Sequence, residues 1–137
     1  TKEDTLLLIQ IDGQTNWTKE ESDLNQSRIG EYSGTVKNGL PHGQGQICYS
    51  HGGKYIGSWK DGKRNGLGTY TYSDGRVSTG IYKNGKKNGN MKIKCPNGDT
   101  YEGDFINGSP SGKFIFTNTK GEISEVDFKR LKNPIKS

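Results

Sequence analysis

The chain contains no alanine and no long hydrophobic run, and only 27% of its 137 residues are hydrophobic. So low a hydrophobic content argues against a two-layer globular domain and suits a single-layer repeat array whose units contact only their neighbours. The most apolar segment, Leu6–Ile11, is too short to span a bilayer, and we expect a strand or the last element of an upstream domain there. The lack of alanine beside abundant Asn, Lys, Ile, Thr and Gly favours strands and turns over helices.

Side chains that commonly carry chemistry are scarce as well. The only imidazole and thiol groups belong to His42, His51, Cys48 and Cys95, and none of them has the Cys-x-x-Cys or His-x-x-x-His spacing of a zinc site. A nucleophile elbow and a phosphate-binding loop are also missing, because the glycines mark turns rather than helix starts. We therefore expect no catalytic residues, no metal, no cofactor and no small-molecule substrate. Both histidines are expected to be solvated in turns.

Glycine, by contrast, is abundant, and its positions repeat. A shift of 23 residues superimposes sixteen of the twenty-one glycines in four columns. The columns hold Gly34, Gly57, Gly80 and Gly103; Gly39, Gly62, Gly85 and Gly108; Gly43, Gly66, Gly89 and Gly112; and Gly52, Gly75, Gly98 and Gly121. Bulky residues follow the same shift, in one column of Tyr32, Tyr55 and Tyr101 and another of Val36, Trp59, Tyr82 and Phe105. A period of this size is typical of a repeat array.

Each repeat has the pattern of two strands joined by a tight turn. Large and small residues alternate along Tyr55–Trp59 and again along Gly66–Tyr72, which is the period of a strand. Between them, Lys60–Gly66 contains Asp-Gly and Asn-Gly pairs that supply the positive φ angles of tight turns, and Ser73–Gly75 closes the next connection. Because short turns permit only antiparallel neighbours, the sequence predicts an all-β, single-layer antiparallel meander of consecutive hairpins with about nine strands.

Alternation also separates the two faces of the predicted sheet. Tyr55, Gly57, Trp59 and Gly68 fall on one face, while the other face is mostly hydroxyl-bearing and charged. Glycine weakens a strand unless something must approach its backbone closely. We therefore expect large rings from neighbouring strands to fill the space over the glycines.

These patterns resemble a known family. The segment Tyr55–Gly68 has the form Tyr-x-Gly-x-Trp-x-x-Gly-Lys-x-x-Gly-x-Gly, and it resembles the MORN (membrane occupation and recognition nexus) repeat throughout. The resemblance covers residues 31–128 and implies a solenoid-like array of β-hairpins. The departures from the pattern are Val36 for Trp, Ser78 for Tyr, and Met91 and Phe114 for the second glycine of the Gly-x-Gly pair.

The repeats divide the chain into segments. These are an N-terminal flank at 1–30, four repeats at 31–53, 54–76, 77–99 and 100–122, a half-repeat cap at 123–128 and a basic tail at 129–137. In the flank, Thr18–Glu21 has a capping-box pattern, so a short helix over residues 18–27 is expected to cover the first edge of the sheet. Cys48 and Cys95 would lie about 19 Å apart, so we expect no intramolecular disulfide and see no cysteine sign of an oxidising compartment.

The net charge of +5 is unevenly distributed. Residues 1–31 carry −4, residues 37–96 carry +9 and residues 97–137 carry 0. A basic strip of this kind points to an anionic partner, whether phospholipid headgroups, an acidic peptide or nucleic acid, although lysines also serve to discourage edge pairing of sheets. Nucleic acid is disfavoured, because the aromatic residues and the basic turns occupy different places.

Two sets of residues are candidate binding sites. A column of rings is expected to line a groove for a peptide or a helix, since aromatic residues are favoured interface anchors, unless the rings pack together as the only core of the sheet. These groove residues are Tyr32, Tyr55, Trp59, Tyr82, Tyr101 and Phe105. The basic turns are expected to project from one edge of the sheet and to contact an anionic partner such as lipid. They contain Lys60, Lys63, Arg64, Lys83, Lys86 and Lys87.

Three function classes follow from the resemblance and these surfaces. We favour a non-catalytic interaction module that docks a segment of a partner protein, as a scaffold or adaptor, and that is monomeric in isolation. The first alternative is a peripheral membrane module that binds anionic phospholipid through its lysine-rich turns. The second is an accessory domain of a larger enzyme, since the resemblance includes kinases and methyltransferases that carry such arrays; the catalytic part would then lie outside this chain.

Overall fold

The computed structural model describes residues 2–11, 13–19 and 27–127, which form eleven strands in one antiparallel sheet. The strands are β1 (Lys2–Ile11), β2 (Gln14–Thr18), β3 (Ser27–Lys37), β4 (Leu40–Tyr49), β5 (Lys54–Lys60), β6 (Lys63–Thr71), β7 (Val77–Lys83), β8 (Lys86–Lys94), β9 (Thr100–Ile106), β10 (Ser109–Thr117) and β11 (Ile123–Asp127). Within these ranges there is no helix of the length and apolar character needed to cross a membrane. The predicted all-β antiparallel meander is confirmed.

The strand order follows the chain from β3 to β11, so these nine strands are the consecutive hairpins that the sequence predicts. On the other side of β3 lies β1, and β2 is outermost. The apolar run belongs to β1, where Leu6 and Ile9 are buried and Leu6 pairs with Tyr32 of the first repeat. The flank therefore extends the repeat sheet by two strands.

The helix predicted over residues 18–27 is not formed at its ends. Thr18 ends β2 and Ser27 begins β3, while residues 20–26 lie outside the described residues. Thr18 pairs with Leu7 across the β1–β2 hairpin. Thr18, the expected start of the helix, is therefore a strand residue, and at this position tertiary pairing overrides the local helix signal.

The hairpin of each repeat closes through a two-residue turn, and these four turns are at 38–39, 61–62, 84–85 and 107–108. Both residues of every turn have positive φ, for example 49° at Asp61 and 84° at Gly62, which is the geometry that Asp-Gly and Asn-Gly pairs favour. The turn is shorter than the predicted segment Lys60–Gly66, because β6 already begins at Lys63. Gly66, with φ of 104°, lies instead where the pairing of β5 and β6 shifts register.

Neighbouring hairpin turns are joined by hydrogen bonds that recur with the period of the repeat. The backbone N–H of Asn84 donates to Oδ1 of Asn65 at 3.4 Å, and the same bond recurs one repeat later at 3.0 Å. In the first repeat, Nδ1 of His42 takes this role and accepts from the Asp61 N–H at 3.3 Å. The prediction that His42 is a solvated turn residue is wrong, because it lies half-buried in β4 and links two turns.

The rings and glycines lie on the buried side of the sheet, which we call the inner face. Its core consists of Leu6, Tyr32, Ile47, Tyr55, Trp59, Tyr82, Met91, Ile93, Phe105 and Phe114. A Cβ built on Gly45 would lie 2.2 Å from Oη of Tyr32, and one built on Gly68 would lie 2.3 Å from Oη of Tyr55. The predicted packing of rings over glycines is confirmed. The opposite, outer face exposes apolar side chains such as Leu67 and Ile81.

The third and fourth repeats fill the same space with different residues. Where Ser78 replaces the ring, the buried Met91 replaces the glycine, and its Sδ lies 2.5 Å from the position of a Cβ built on Gly80. In the fourth repeat Phe114 takes the place of Met91, with Cδ1 2.5 Å from a Cβ built on Gly103. The departures from the repeat pattern therefore preserve the packing of the core.

The two cysteines, Cys48 and Cys95, are both free. Cys48 is exposed on β4, and Cys95 lies in the connection that follows β8. Burial raises the pKa of the Cys95 thiol. Strands β5 to β7 lie between β4 and β8 in the sheet, so the fold keeps the two thiols apart.

Candidate binding groove on the inner face

The aromatic residues that the sequence predicts as a groove form the floor of the inner face. Their exposed fractions are 0% for Tyr32 and Tyr55, 5% for Trp59, 2% for Tyr82 and 1% for Phe105, while Tyr101 is half-buried. Trp59 packs edge-to-face between Tyr32 and Tyr55, with centroid distances of 5.2 and 5.3 Å. Five of the six rings are thus packed as the core of the sheet rather than open to a partner. A single-layer sheet has no other core in which to bury them.

A second row of rings, which the sequence analysis did not include in the site, is only half-buried. It contains Tyr49, Tyr70 and Tyr72, with centroid distances of 6.0 Å from Tyr49 to Tyr70 and 4.7 Å from Tyr70 to Tyr72. His51 stacks on Tyr49 at 5.3 Å with its ring nearly parallel. The repeat period carried a signal for this row, because Tyr49 and Tyr72 are 23 residues apart.

Arg64 lies on the inner face and does not project from the sheet edge as the sequence analysis predicts. Its guanidinium carbon is 5.6, 5.5 and 5.4 Å from the ring centroids of Tyr55, Tyr70 and Tyr82. Its Nη2 also donates a hydrogen bond to the Gly85 carbonyl. The two-residue turn is the reason: β6 begins one residue before Arg64, so Arg64 follows the strand alternation and points inward.

Lys87 does not project from the sheet edge either, although the sequence predicts that it does. Its side chain is buried, with an exposed fraction of 1%. Its Nζ donates to Oη of Tyr72 and lies 4.9 Å from the ring centroid of Tyr72 and 5.2 Å from that of Phe105. Burial, together with the charges of Arg76 and Arg64, lowers the pKa of Lys87 to about 7. At neutral pH this amine is therefore only partly protonated.

The other four predicted basic residues do lie at the exposed ends of the hairpins. They are Lys60, Lys63, Lys83 and Lys86. Lys60 pairs with Lys63 at the end of one hairpin, and Lys83 pairs with Lys86 at the end of the next. The basic edge is therefore made of four exposed lysines, separate from the two cations of the inner face.

Two cavities open beside the half-buried rings. The first, of about 310 Å³, has a mostly apolar lining from Leu8, Trp17, Leu40, Tyr49 and Trp59, with the charged groups of Asp61, Lys63 and Arg64 beside them. The second, of about 240 Å³, is lined by Tyr49, His51, Arg64, Tyr70, Tyr72, Tyr82 and Lys87. Tyr49 and Arg64 line both cavities. We call the two together the inner-face groove, with the first cavity as its apolar half and the second as its polar half.

Burial keeps the phenols of this groove protonated. It raises the pKa of Tyr55 to about 12, and it also raises the pKa of Tyr82. Burial is likewise the chief reason for the raised pKa values of Tyr49, Tyr70 and Tyr72. The phenols therefore remain hydrogen-bond donors throughout the neutral range.

A larger cavity, of about 580 Å³, lies between the hairpin ends. Lys60, Lys63 and Lys83 contribute to its lining. So do Asn65 and Asn88, but their side-chain oxygens already accept hydrogen bonds from the backbone of the next turn. This cavity is therefore a gap between stacked turns, with its amide oxygens used in the fold.

The described residues do not form a metal-binding cluster. No group of three or more His, Cys, Asp or Glu side chains in these ranges can hold a metal ion. Nδ1 of His51 accepts the Gly53 N–H at 3.1 Å. Glu102 and Asp104 are exposed on β9.

The fold and the groove define the class of this chain as a β-hairpin repeat protein. A family model described as MORN repeat matches residues 32–54, 55–75, 79–100 and 101–118, which together make more than half of the chain. The chain belongs to the MORN repeat family, so the resemblance carried by Tyr55–Gly68 is confirmed. A search of the curated proteins found no match. The family is generally non-catalytic, and its repeats are often involved in membrane or protein interaction.

Proposed function

We propose that this chain is a protein-interaction module whose inner-face groove docks a segment of a partner protein. One observation carries the proposal: the half-buried rings of Tyr49, Tyr70 and Tyr72 lie along a groove that has an apolar half and a polar half. Partly exposed rings beside a cavity are typical anchors of protein interfaces, because they bury much area and still present a polar group.

The apolar half of the groove is suited to one large hydrophobic side chain of the partner. Trp17 of β2 packs edge-to-face on Tyr32 at 6.0 Å and on Trp59 at 6.1 Å, and it is half-buried. Its ring is thus held in place before a partner arrives. Rings that are already ordered lose little conformational freedom on binding, so more of the contact energy contributes to affinity.

A second candidate function is peripheral binding to anionic phospholipid. The observation that favours it is the basic edge, where Lys60, Lys63, Lys83 and Lys86 are all exposed. Each lysine near an anionic surface contributes about 1 kcal/mol. We rank this function second, because exposed lysines also keep sheet edges from pairing. An accessory role within a larger enzyme would use the same surfaces.

The experiment is a selection of random displayed peptides on the immobilised chain, followed by affinity measurement of the enriched peptides by fluorescence anisotropy. The variants are Trp17→Ser and Tyr70→Ser in the groove. The matched control is Leu67→Gln, because Leu67 lies on the same strand as Tyr70 but is 62% exposed on the outer face. We expect each groove variant to weaken binding about tenfold or more. Equal affinities for all variants, or no enriched peptide, would contradict the proposal.

A further inference from the structure

We propose that the polar half of the groove binds an anionic side chain of the partner segment, a carboxylate or a phosphate, through the Arg64 guanidinium and the Tyr82 hydroxyl. This inference rests on the proposed function and adds to it the chemical class of the docked segment. Three observations carry it: an enclosed guanidinium, a buried hydroxyl without a hydrogen-bond partner among the described residues, and a lining that contains a second basic group and no carboxylate.

The Arg64 guanidinium is fixed in position by its neighbours, but most of its N–H donors are not used in the fold. The rings of Tyr55, Tyr70 and Tyr82 surround its guanidinium at 5.4 to 5.6 Å, and Nη2 donates to the Gly85 carbonyl. It forms no ion pair with the described residues. A guanidinium has five N–H donors in a planar fork that matches a carboxylate or a phosphate. Donors therefore remain for an oxyanion that enters the groove.

The Tyr82 hydroxyl lacks a hydrogen-bond partner among the described residues, although Tyr82 is only 2% exposed. A buried polar group left without a partner costs free energy, so its presence calls for an explanation. Tyr82 lines the polar half of the groove together with Arg64 and Tyr72. A bound oxyanion accepts the hydrogen bond that this hydroxyl is ready to donate.

The remaining lining of the polar half favours negative charge. The titratable and charged groups around Lys87 are Arg64 and Tyr70 on β6, Tyr72 and Arg76 in the connection to β7, Tyr82 on β7, and Tyr49 and His51 beside the β4–β5 connection. None of these is a carboxylate. Asp74, in the same connection as Arg76, is exposed and bound to Arg76 at 2.9 Å. A partner anion therefore meets attraction from Arg64 on β6 and Lys87 on β8, while the Asp61 carboxylate lines the other half of the groove.

The first test uses the peptides enriched by the selection. We expect them to share one acidic position, and replacement of that glutamate or aspartate by its amide should weaken binding about ten- to a hundredfold. A phosphoserine at the same position separates the two anion types, since tighter binding than glutamate identifies phosphate as the preferred group. Enriched peptides without a shared acidic position would overturn the inference and leave the proposed function standing.

The second test changes the groove while keeping its shape. Tyr82→Phe removes only the hydroxyl, so we expect an unchanged or higher melting temperature, about tenfold weaker binding of the acidic peptide and no change for its amide version. Arg64→Lys keeps the positive charge but loses the planar fork of N–H donors, so it should also weaken binding of the acidic peptide. Lys92→Gln, at an exposed position of β8 that lines neither cavity of the groove, is the control. If Tyr82→Phe and Arg64→Lys bind the acidic peptide as wild type does, the inference is wrong.

Proton uptake gives an independent readout. With the groove empty, the pKa of Lys87 is about 7, and a bound anion beside it favours the protonated amine. We expect calorimetric titration of the acidic peptide just above neutral pH to show proton uptake, detected as a dependence of the heat on the buffer. Binding without proton uptake would contradict the location of the anion beside Lys87.

A titration with inorganic phosphate tests the anion site independently of the proposed function. Inorganic phosphate is titrated into the isotopically labelled chain, and the amide shifts of wild type and Tyr82→Phe are compared. Shifts around Arg64 that the variant lacks, together with no enriched peptide, would refute the peptide partner while retaining the oxyanion site. Enriched peptides combined with neither phosphate shifts nor a shared acidic position would refute the oxyanion site alone.

Discussion

The Tyr55 hydroxyl occupies the space that a side chain at position 68 would need, since a Cβ built on Gly68 would lie 2.3 Å from it. The ring and the glycine belong to the paired strands β5 and β6. Tyr55 donates to the Ser58 carbonyl at 2.9 Å and is fully buried, so its ring cannot move aside into solvent. Gly68, like Gly45 one repeat earlier, therefore acts as a packing site for a ring of the preceding strand.

Gly68→Ala should destabilise the chain by about 2–4 kcal/mol, because the added methyl group overlaps a buried ring that has nowhere to move. The measurement is the free energy of unfolding from urea titration followed by tyrosine and tryptophan fluorescence. Leu67→Ala, at the adjacent exposed position, should change it by less than about 0.5 kcal/mol. Equal free energies of unfolding for the two variants would show that the packing of the Tyr55 ring does not require a glycine at position 68.

The third repeat shows a pair of residues that avoids the overlap between the ring and a side chain at the glycine position. Ser78 and Met91 occupy the positions equivalent to Tyr55 and Gly68 one repeat earlier, and Met91 is fully buried. We expect Gly68→Met alone to be strongly destabilising, and Tyr55→Ser combined with Gly68→Met to be less so than the sum of the single changes. A double-mutant cycle should give a favourable coupling of about 1–3 kcal/mol. Additive effects would mean that ring and thioether do not share one space.

The sequence predicts the fold well because the fold is built from local, repeated signals. Asp-Gly and Asn-Gly turns, strand alternation and the 23-residue period all indicate the same meander, and the structure has it from β3 to β11. The flank is harder, because the capping-box signal at Thr18 competes with strand pairing to Leu7. Whether Thr18 begins a helix or pairs in a strand depends on contacts with residues distant in the sequence.

The candidate site is less predictable, because it depends on turn length and on which rings remain uncovered. A two-residue turn places Arg64 on the inner face, whereas the longer predicted turn leaves it at the edge. Likewise, the sequence shows that Tyr55 and Tyr70 share a face, but not that Tyr55 is fully buried and Tyr70 half-buried. Burial on one face depends on how neighbouring side chains stack across several strands.

Stability should rise with pH between about 7 and 10 because of Lys87. Its pKa of about 7 in the folded chain is well below the ordinary lysine value of 10.5 that applies in the unfolded chain, so the unfolded chain binds more protons in this range. The slope is at most about 1.4 kcal/mol per pH unit for one group, and the rise ends where tyrosines of the unfolded chain begin to ionise. Lys87→Met should flatten the dependence, as measured by urea titration across this range. An unchanged slope would contradict the depressed pKa.

The last prediction separates the protein partner from the membrane. Since Arg64 and Lys87 face the inner groove, the edge presents Lys60, Lys63, Lys83 and Lys86 to a flat surface. Four lysines at about 1 kcal/mol each support only weak, salt-sensitive adhesion to anionic vesicles.

We therefore expect reversal of these four lysines to glutamate to abolish that adhesion while changing the affinity for a selected peptide only a few-fold, because rim charges mainly affect association rates. Tyr70→Ser should weaken peptide binding and leave vesicle adhesion unchanged, since it alters the groove and leaves the basic edge intact. Vesicle sedimentation and peptide anisotropy are measured on both variants. Strong sedimentation at physiological salt that survives Tyr70→Ser, without any peptide binding, would make the membrane the partner instead.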